Sequence, residues 1–138
     1  MSFSWEPFGP SRRERPAPEQ PVALPGRPAQ ELAVLTCMDC RIDPLQALGL
    51  DLGDAVVLRN AGAQWSDDVA RSLRLSLGLG VTQVQVLAHT DCAAYRGDDG
   101  AATAGARRTA ERIGAAIPEL EVDAALLDVR TGAVTPAR

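Results

Sequence analysis

Short apolar runs recur along the chain, and their lengths are those of β-strands. They are ELAVLTC (31–37), DAVVLRN (54–60) and QVQVLAH (83–89), and a later run within 123–136 contains a turn at 130–132 and a short return. Runs that are mostly apolar and rich in β-branched residues are typical of strands buried on both faces of a parallel sheet. The pattern predicts a mainly parallel sheet of roughly four to five strands.

Segments with helical spacing lie between these runs. Ser66 is a typical N-cap, two aspartates follow it in the first turn, and an apolar stripe with a helical repeat continues towards Gly80. A second long, Ala-rich helix is predicted over 101–117 and ends at Pro118, and a short helix is predicted after Pro44. Because strands alternate with helices, we expect an α/β fold in which helices flank the sheet.

The N-terminal part of the chain differs from the rest in composition and periodicity. Residues 1–29 are rich in proline and lack periodicity, which predicts an extended N-terminal arm, whereas 30–138 are predicted to form one α/β domain. Trp5 and Phe8 stand out because the chain has few aromatic residues. The arm is expected either to be a disordered tail or to dock these two rings on a neighbouring subunit.

Net charge and composition argue against a nucleic-acid-binding protein and against a membrane-spanning one. A net charge of -4 argues against nucleic acid as the partner, because phosphate binding needs clustered positive charge. No apolar run approaches the ~18 residues that a membrane span requires, and we expect a cytoplasmic protein. In a reducing compartment, three cysteines and a single histidine point to metal binding or catalysis before disulfides.

The cysteines and the histidine follow predicted strands. Cys37 ends the first strand, His89 ends the third, and Cys92 follows in HTDC (89–92). Ligands gather at the carboxyl ends of parallel strands, so these three side chains are expected at one edge of the sheet. Two thiolates and one imidazole suit Zn²⁺ and leave the fourth tetrahedral position open.

The segment TCMDCR leaves two interpretations of this site. Cys40 could be a fourth ligand, which would give a closed structural zinc site without catalysis. In the alternative, Asp39 interacts with water at an open zinc position while Arg41 holds the carboxylate away from the metal in a bidentate pair. The second interpretation gives both charged residues a function. In addition, Arg59 and its neighbours in RNAG (59–62) follow a strand end and are expected at the wall of the same pocket.

These motifs together resemble the β-class carbonic anhydrases, whose signature is C-x-D-x-R followed by H-x-x-C. The sequence has Cys37-Met38-Asp39-Cys40-Arg41 and His89-Thr90-Asp91-Cys92, with VVLRNAGA between them. The resemblance implies reversible hydration of CO₂ to bicarbonate by metal-bound hydroxide on a mainly parallel sheet. It implies that Zn²⁺ is bound by Cys37, His89 and Cys92, and that Asp39 and Arg41 are the catalytic dyad.

The resemblance also bears on partners and substrates. It implies a homodimer or an assembly of dimers, in which an N-terminal arm wraps the partner. A related fold can hydrolyse carbonyl sulfide or carbon disulfide, which are linear like CO₂, so this activity is the alternative at the same site. The chain differs from the usual family pattern at Cys40, where a small residue is common, and in its short sequence after the last ligand.

Overall fold

The computed structural model describes residues 24–138, which contain a five-stranded sheet in the order β2-β1-β3-β4-β5. The strands are β1 (Leu32–Cys37), β2 (Ala55–Asn60), β3 (Gln83–His89), β4 (Glu121–Leu127) and β5 (Val134–Pro136). The first four pair in parallel, and β5 returns antiparallel to β4. The predicted α/β fold with a mainly parallel sheet is confirmed.

Three α-helices flank the sheet in this part of the chain. They are α1 (Pro44–Ala47), α2 (Asp67–Gly78) and α3 (Asp99–Ala116), and a 3₁₀ turn covers Ala93–Tyr95. Ser66 caps α2 as predicted, since its side chain accepts a hydrogen bond from the Val69 N–H at 3.2 Å. However, α3 begins earlier than the expected residue 101, because the Asp98 side chain accepts from the Ala101 N–H and caps the helix.

The central strands form the core with the inner faces of α2 and α3. Leu35, Leu73, Val86 and Ile113 are fully buried within one apolar cluster. All residues of β1 after Leu32 are buried, which agrees with the apolar run in the sequence. The parallel register also brings the carboxyl ends of β1 and β3 side by side, and the Thr36 hydroxyl donates to the Leu87 carbonyl at 2.8 Å.

The boundary between arm and domain stays a prediction. Most of the predicted arm, including Trp5 and Phe8, lies outside the described residues. Where the described chain begins, the N–H groups of Ala29 and Gln30 donate to the carbonyls of Gly53 and Asp54, each at 2.9 Å, just before β2. Within residues 24–138, every helix is too short or too polar to cross a bilayer.

Candidate metal centre

The three residues predicted to bind metal lie together at the carboxyl edge of the sheet. Cys37 is the last residue of β1, His89 is the last residue of β3, and Cys92 immediately precedes the 3₁₀ turn. Their ligand atoms all lie within 4.8 Å of one another, and the two sulfur atoms are 3.9 Å apart. All three side chains are buried. The strand-end rule therefore located the cluster correctly.

His89 provides the test of whether this cluster suits a metal. Its Nδ1 lies 2.7 Å from the Thr90 carbonyl oxygen, which can only accept, so we assign the ring proton to Nδ1. The lone pair of Nε2 then points away from that bond. Among the described residues, His89 Nε2 is the one buried side-chain nitrogen or oxygen without a hydrogen-bond partner. Since buried polar atoms are normally paired, the cluster fits a cation.

The two sulfur atoms have environments that complement a cation. The Gly62 N–H donates to Cys37 Sγ at 3.3 Å, so this sulfur accepts a backbone hydrogen bond. Burial raises the pKa of the Cys92 thiol, and the neighbouring Cys37 sulfur raises it further. Two buried thiolates at this separation repel each other, so a cation between them would favour their deprotonation.

Asp39 and Arg41 form the bidentate pair predicted from their spacing. Arg41 donates from Nε to Asp39 Oδ1 at 3.0 Å and from Nη2 to Oδ2 at 2.7 Å, and its backbone N–H also donates to Oδ1. These bonds hold the pKa of Asp39 far below its usual range, so the carboxyl group is ionised. Asp39 Oδ2 is 3.9 Å from His89 Nε2, which places the carboxylate beside the candidate metal position.

Cys40 does not join the cluster. Its side chain is exposed, and the converging ligand atoms in the described chain are those of the other two cysteines and the histidine. The geometry therefore favours three protein ligands over the closed four-ligand alternative.

Two contacts at this site were not anticipated from the sequence. Arg59, expected at the pocket wall, donates from Nε to the Cys37 carbonyl at 2.9 Å and from Nη2 to the Asp39 carbonyl at 2.8 Å. It therefore fixes the backbone that carries both residues. Arg41 also donates to Asp91, through Nη1 to the carboxylate and through Nη2 to the carbonyl, each at 3.1 Å. No local pattern signals either contact, because each joins segments far apart in the chain.

Comparison with known proteins now identifies the family. The family model described as carbonic anhydrase matches residues 32–132. A protein named beta-carbonic anhydrase 1 from Mycobacterium tuberculosis is 46% identical over 70 residues, which cover 50% of this chain and 43% of that protein. The chain belongs to the β-class carbonic anhydrase family. The match thus spans less than half the length of this curated relative.

The chain is also similar to a carbon disulfide hydrolase from an Acidianus strain. That protein is 43% identical over 68 residues, which cover 49% of this chain and 33% of the hydrolase. A solved structure of a carbonic anhydrase from Streptococcus mutans superposes with a TM-score of 0.78 and 31% identity, covering 86% of this chain and 88% of that one. The resemblance inferred from the sequence is confirmed.

Proposed function

We propose that this chain catalyses the reversible hydration of CO₂ to bicarbonate, with Zn²⁺ held by Cys37, His89 and Cys92. The observation that carries the proposal is the buried, unpaired Nε2 of His89 beside two buried sulfur atoms. An ionised carboxylate held by an arginine adjoins this cluster. Membership of the β-class carbonic anhydrase family supports the same activity.

The donor set supports zinc as the metal. Thiolate and imidazole ligands are typical of Zn²⁺, and three protein ligands leave one tetrahedral position for water or substrate. When bound, the metal would lower the pKa of water to about 7 and so supply a nucleophile at neutral pH.

The chain's own residues then orient the reactants. Asp39 is ionised, so it can only accept, and its Oδ2 faces the position next to His89 Nε2. It would accept a hydrogen bond from water there and fix the direction in which the oxygen lone pair points. Arg41 keeps both carboxylate oxygens engaged and so restrains Asp39 from becoming a further ligand. His89 is the single histidine, so protons would leave through solvent or buffer.

A direct test is stopped-flow CO₂ hydration on purified full-length protein of known zinc content. Turnover proportional to zinc content is expected. The variant Cys37→Ser removes one sulfur and should lose zinc and turnover together, whereas Cys40→Ala, which alters an exposed thiol, should keep both. Zinc-loaded wild-type protein without CO₂ hydration would contradict the proposal.

Carbon disulfide is the second candidate substrate, because several relatives are named carbon disulfide hydrolases. The same zinc-loaded protein should be assayed for sulfide release from carbon disulfide and from carbonyl sulfide. Sulfide release at a higher kcat/KM than CO₂ hydration would transfer the proposal to hydrolysis.

We further propose a cytoplasmic homodimer or assembly of dimers. All three cysteines are free thiols in the structure, which supports a reducing compartment. The dimer is supported by the family resemblance and by exposed apolar side chains such as Val57 on the edge strand β2 and Leu75 on α2. Sedimentation equilibrium would test it, and a monomer at micromolar concentration would contradict it.

A further inference from the structure

Arg41 makes two hydrogen bonds to Asp91 besides its pair with Asp39, and these bonds suggest a role for Asp91. We propose that Asp91 is a positioning residue for the proposed reaction: it holds Arg41 in the orientation that keeps Asp39 off the metal. This inference rests on the proposed function and deepens it. Asp91 would act through Arg41 and would not touch the reacting atoms.

The contacts engage all three nitrogens of the guanidinium group. Nε and Nη2 donate to the two carboxylate oxygens of Asp39, at 3.0 and 2.7 Å. Nη1 donates to Asp91 Oδ2, and Nη2 donates also to the Asp91 carbonyl, both at 3.1 Å. Arg41 therefore bridges the loop after β1 and the loop after β3, which directly follow Cys37 and His89.

Asp91 is itself fixed by its backbone. Its φ of +54° lies in the left-handed region, which aspartate tolerates better than most side chains. Its N–H donates to Asp99 Oδ1 at 2.9 Å, at the start of α3, while its carbonyl accepts from Arg41. Asp91 thus links the N-terminus of α3 to the guanidinium group. Its N–H bonds to Asp99 in α3, and its carbonyl and carboxylate bond to Arg41.

This restraint matters because the side chain of Arg41 is otherwise free to move. It is 42% exposed, and a long exposed side chain held by one partner has many accessible rotamers. Asp39 Oδ2 lies close enough to His89 Nε2, at 3.9 Å, to reach a metal bound there with a small rotation. A carboxylate is a good zinc ligand, so a loosened Arg41 would let Asp39 occupy the fourth position.

The test measures the open position directly and does not depend on turnover. Wild-type protein and Asp91→Gly would be loaded with Co²⁺ and titrated with azide, while the visible absorption of the cobalt is followed. Glycine keeps the left-handed backbone and removes the carboxylate. We expect azide to bind Asp91→Gly about threefold more weakly, because loss of an exposed ion pair should lower the fraction of sites with an open position by about that factor.

The direction of the change in azide affinity distinguishes a positioning role of Asp91 from a purely electrostatic effect of its charge. Removal of a negative charge near the site should by itself strengthen the binding of an anion. Weaker azide binding by Asp91→Gly therefore supports the proposal, whereas unchanged or tighter binding would overturn it. Glu119→Gln, which removes an exposed carboxylate from the turn after α3, is the matched control and should leave azide binding unchanged.

A double-mutant cycle tests whether Asp91 acts through Asp39. In an Asp39→Ala background the competing carboxylate is absent, so Asp91→Gly should no longer weaken azide binding. A weakening that persists in this background would overturn the proposal. Asp91→Asn keeps an acceptor for Arg41 Nη1 and should recover most of the affinity. If the glycine variant does not fold, Asp91→Ala, which also lacks an acceptor at this position, replaces it in the cycle.

Turnover provides a second readout with a defined signature. In Asp91→Gly, kcat for CO₂ hydration should fall about threefold with KM unchanged, because fewer sites are competent while each competent site is intact. A rise in KM at constant kcat would contradict positioning. If wild-type protein binds Co²⁺ and azide but does not hydrate CO₂, the proposed function fails, and the azide titrations still decide the role of Asp91.

Discussion

At the residue scale, Asp39 places a negative charge beside the candidate ligands. Arg41 holds its pKa far below the usual range, so the carboxylate remains ionised at every pH at which the protein would work. Its side chain is only 13% exposed and has both oxygens bonded to Arg41. An acceptor of fixed charge and orientation therefore lies beside the candidate ligands.

The variant Asp39→Asn tests this role. An amide keeps the shape but places N–H donors where an acceptor is required, so we expect zinc content to stay unchanged while kcat falls about a hundredfold, within the usual range for positioned proton-handling groups. Stopped-flow hydration and metal analysis on the same preparation would measure both. Unchanged turnover would remove Asp39 from the mechanism.

The sequence could predict the candidate ligands but not the residues that hold them. Cys37 and His89 end apolar strands, so one rule for parallel sheets places them together. Arg59 and Asp91 act on residues that are distant in sequence, and exposed charged residues are common without any such role. Only the three-dimensional structure shows that Arg59 bonds to the carbonyls of Cys37 and Asp39.

At the element scale, the turn after β2 supports the site. Gly62 has a φ of +81°, and its N–H donates to Cys37 Sγ. A Cβ at this position would lie 3.0 Å from Ala94 Cβ, in the segment that follows Cys92. The glycine therefore allows two loops to meet closely and also donates to a candidate ligand.

Gly62→Ala should combine backbone strain with a displaced hydrogen bond. We expect a loss of about 1–3 kcal/mol in the free energy of unfolding and weaker retention of zinc. Gly114→Ala is the control, because a Cβ at this position in α3 would meet no atom of the surrounding structure within 4 Å. This variant should be slightly more stable than wild type. Urea unfolding of both variants would measure this, and equal stabilities would contradict the strain argument.

The helices show where sequence patterns reach their limit. Ser66 is predicted as an N-cap because two aspartates and an apolar stripe follow it, and the structure confirms the cap. Asp98 caps α3 in the same way, but the Gly- and Asp-rich residues around it are equally typical of a loop, so the sequence pattern places the start of the helix too late, at residue 101. The hydrogen bond to the Ala101 N–H decides between the two.

At the scale of the whole molecule, the proposed metal would tie the segment that contains Cys92 to the adjacent ends of β1 and β3. Cys37 and His89 lie on adjacent strands, and Cys92 lies in the segment leading to α3. A metal that binds the folded chain and not the unfolded chain stabilises the fold by mass action.

The architecture can be predicted from the sequence because alternating strands and helices leave few possible topologies. The association of subunits cannot be predicted in this way, because it depends on surfaces that short sequence patterns do not encode.

Zinc removal should therefore lower the thermal stability of the protein. We expect Tm to fall by several degrees after dialysis against a chelator and to recover when zinc is restored. Cys37→Ser should have a lower Tm than wild type and should not respond to either treatment. Differential scanning calorimetry would show this, and a wild-type Tm that is indifferent to zinc would contradict a metal held by these residues.

The most direct test of the central claim is X-ray absorption at the zinc edge of the zinc-loaded protein. An open centre formed by Cys37, His89 and Cys92 should have two sulfur neighbours at about 2.3 Å and two lighter neighbours at about 2.0–2.1 Å. The spectrum of Cys40→Ala should be identical. Three sulfur neighbours in the wild-type protein, with one lost in Cys40→Ala, would contradict the open site and establish a closed structural one.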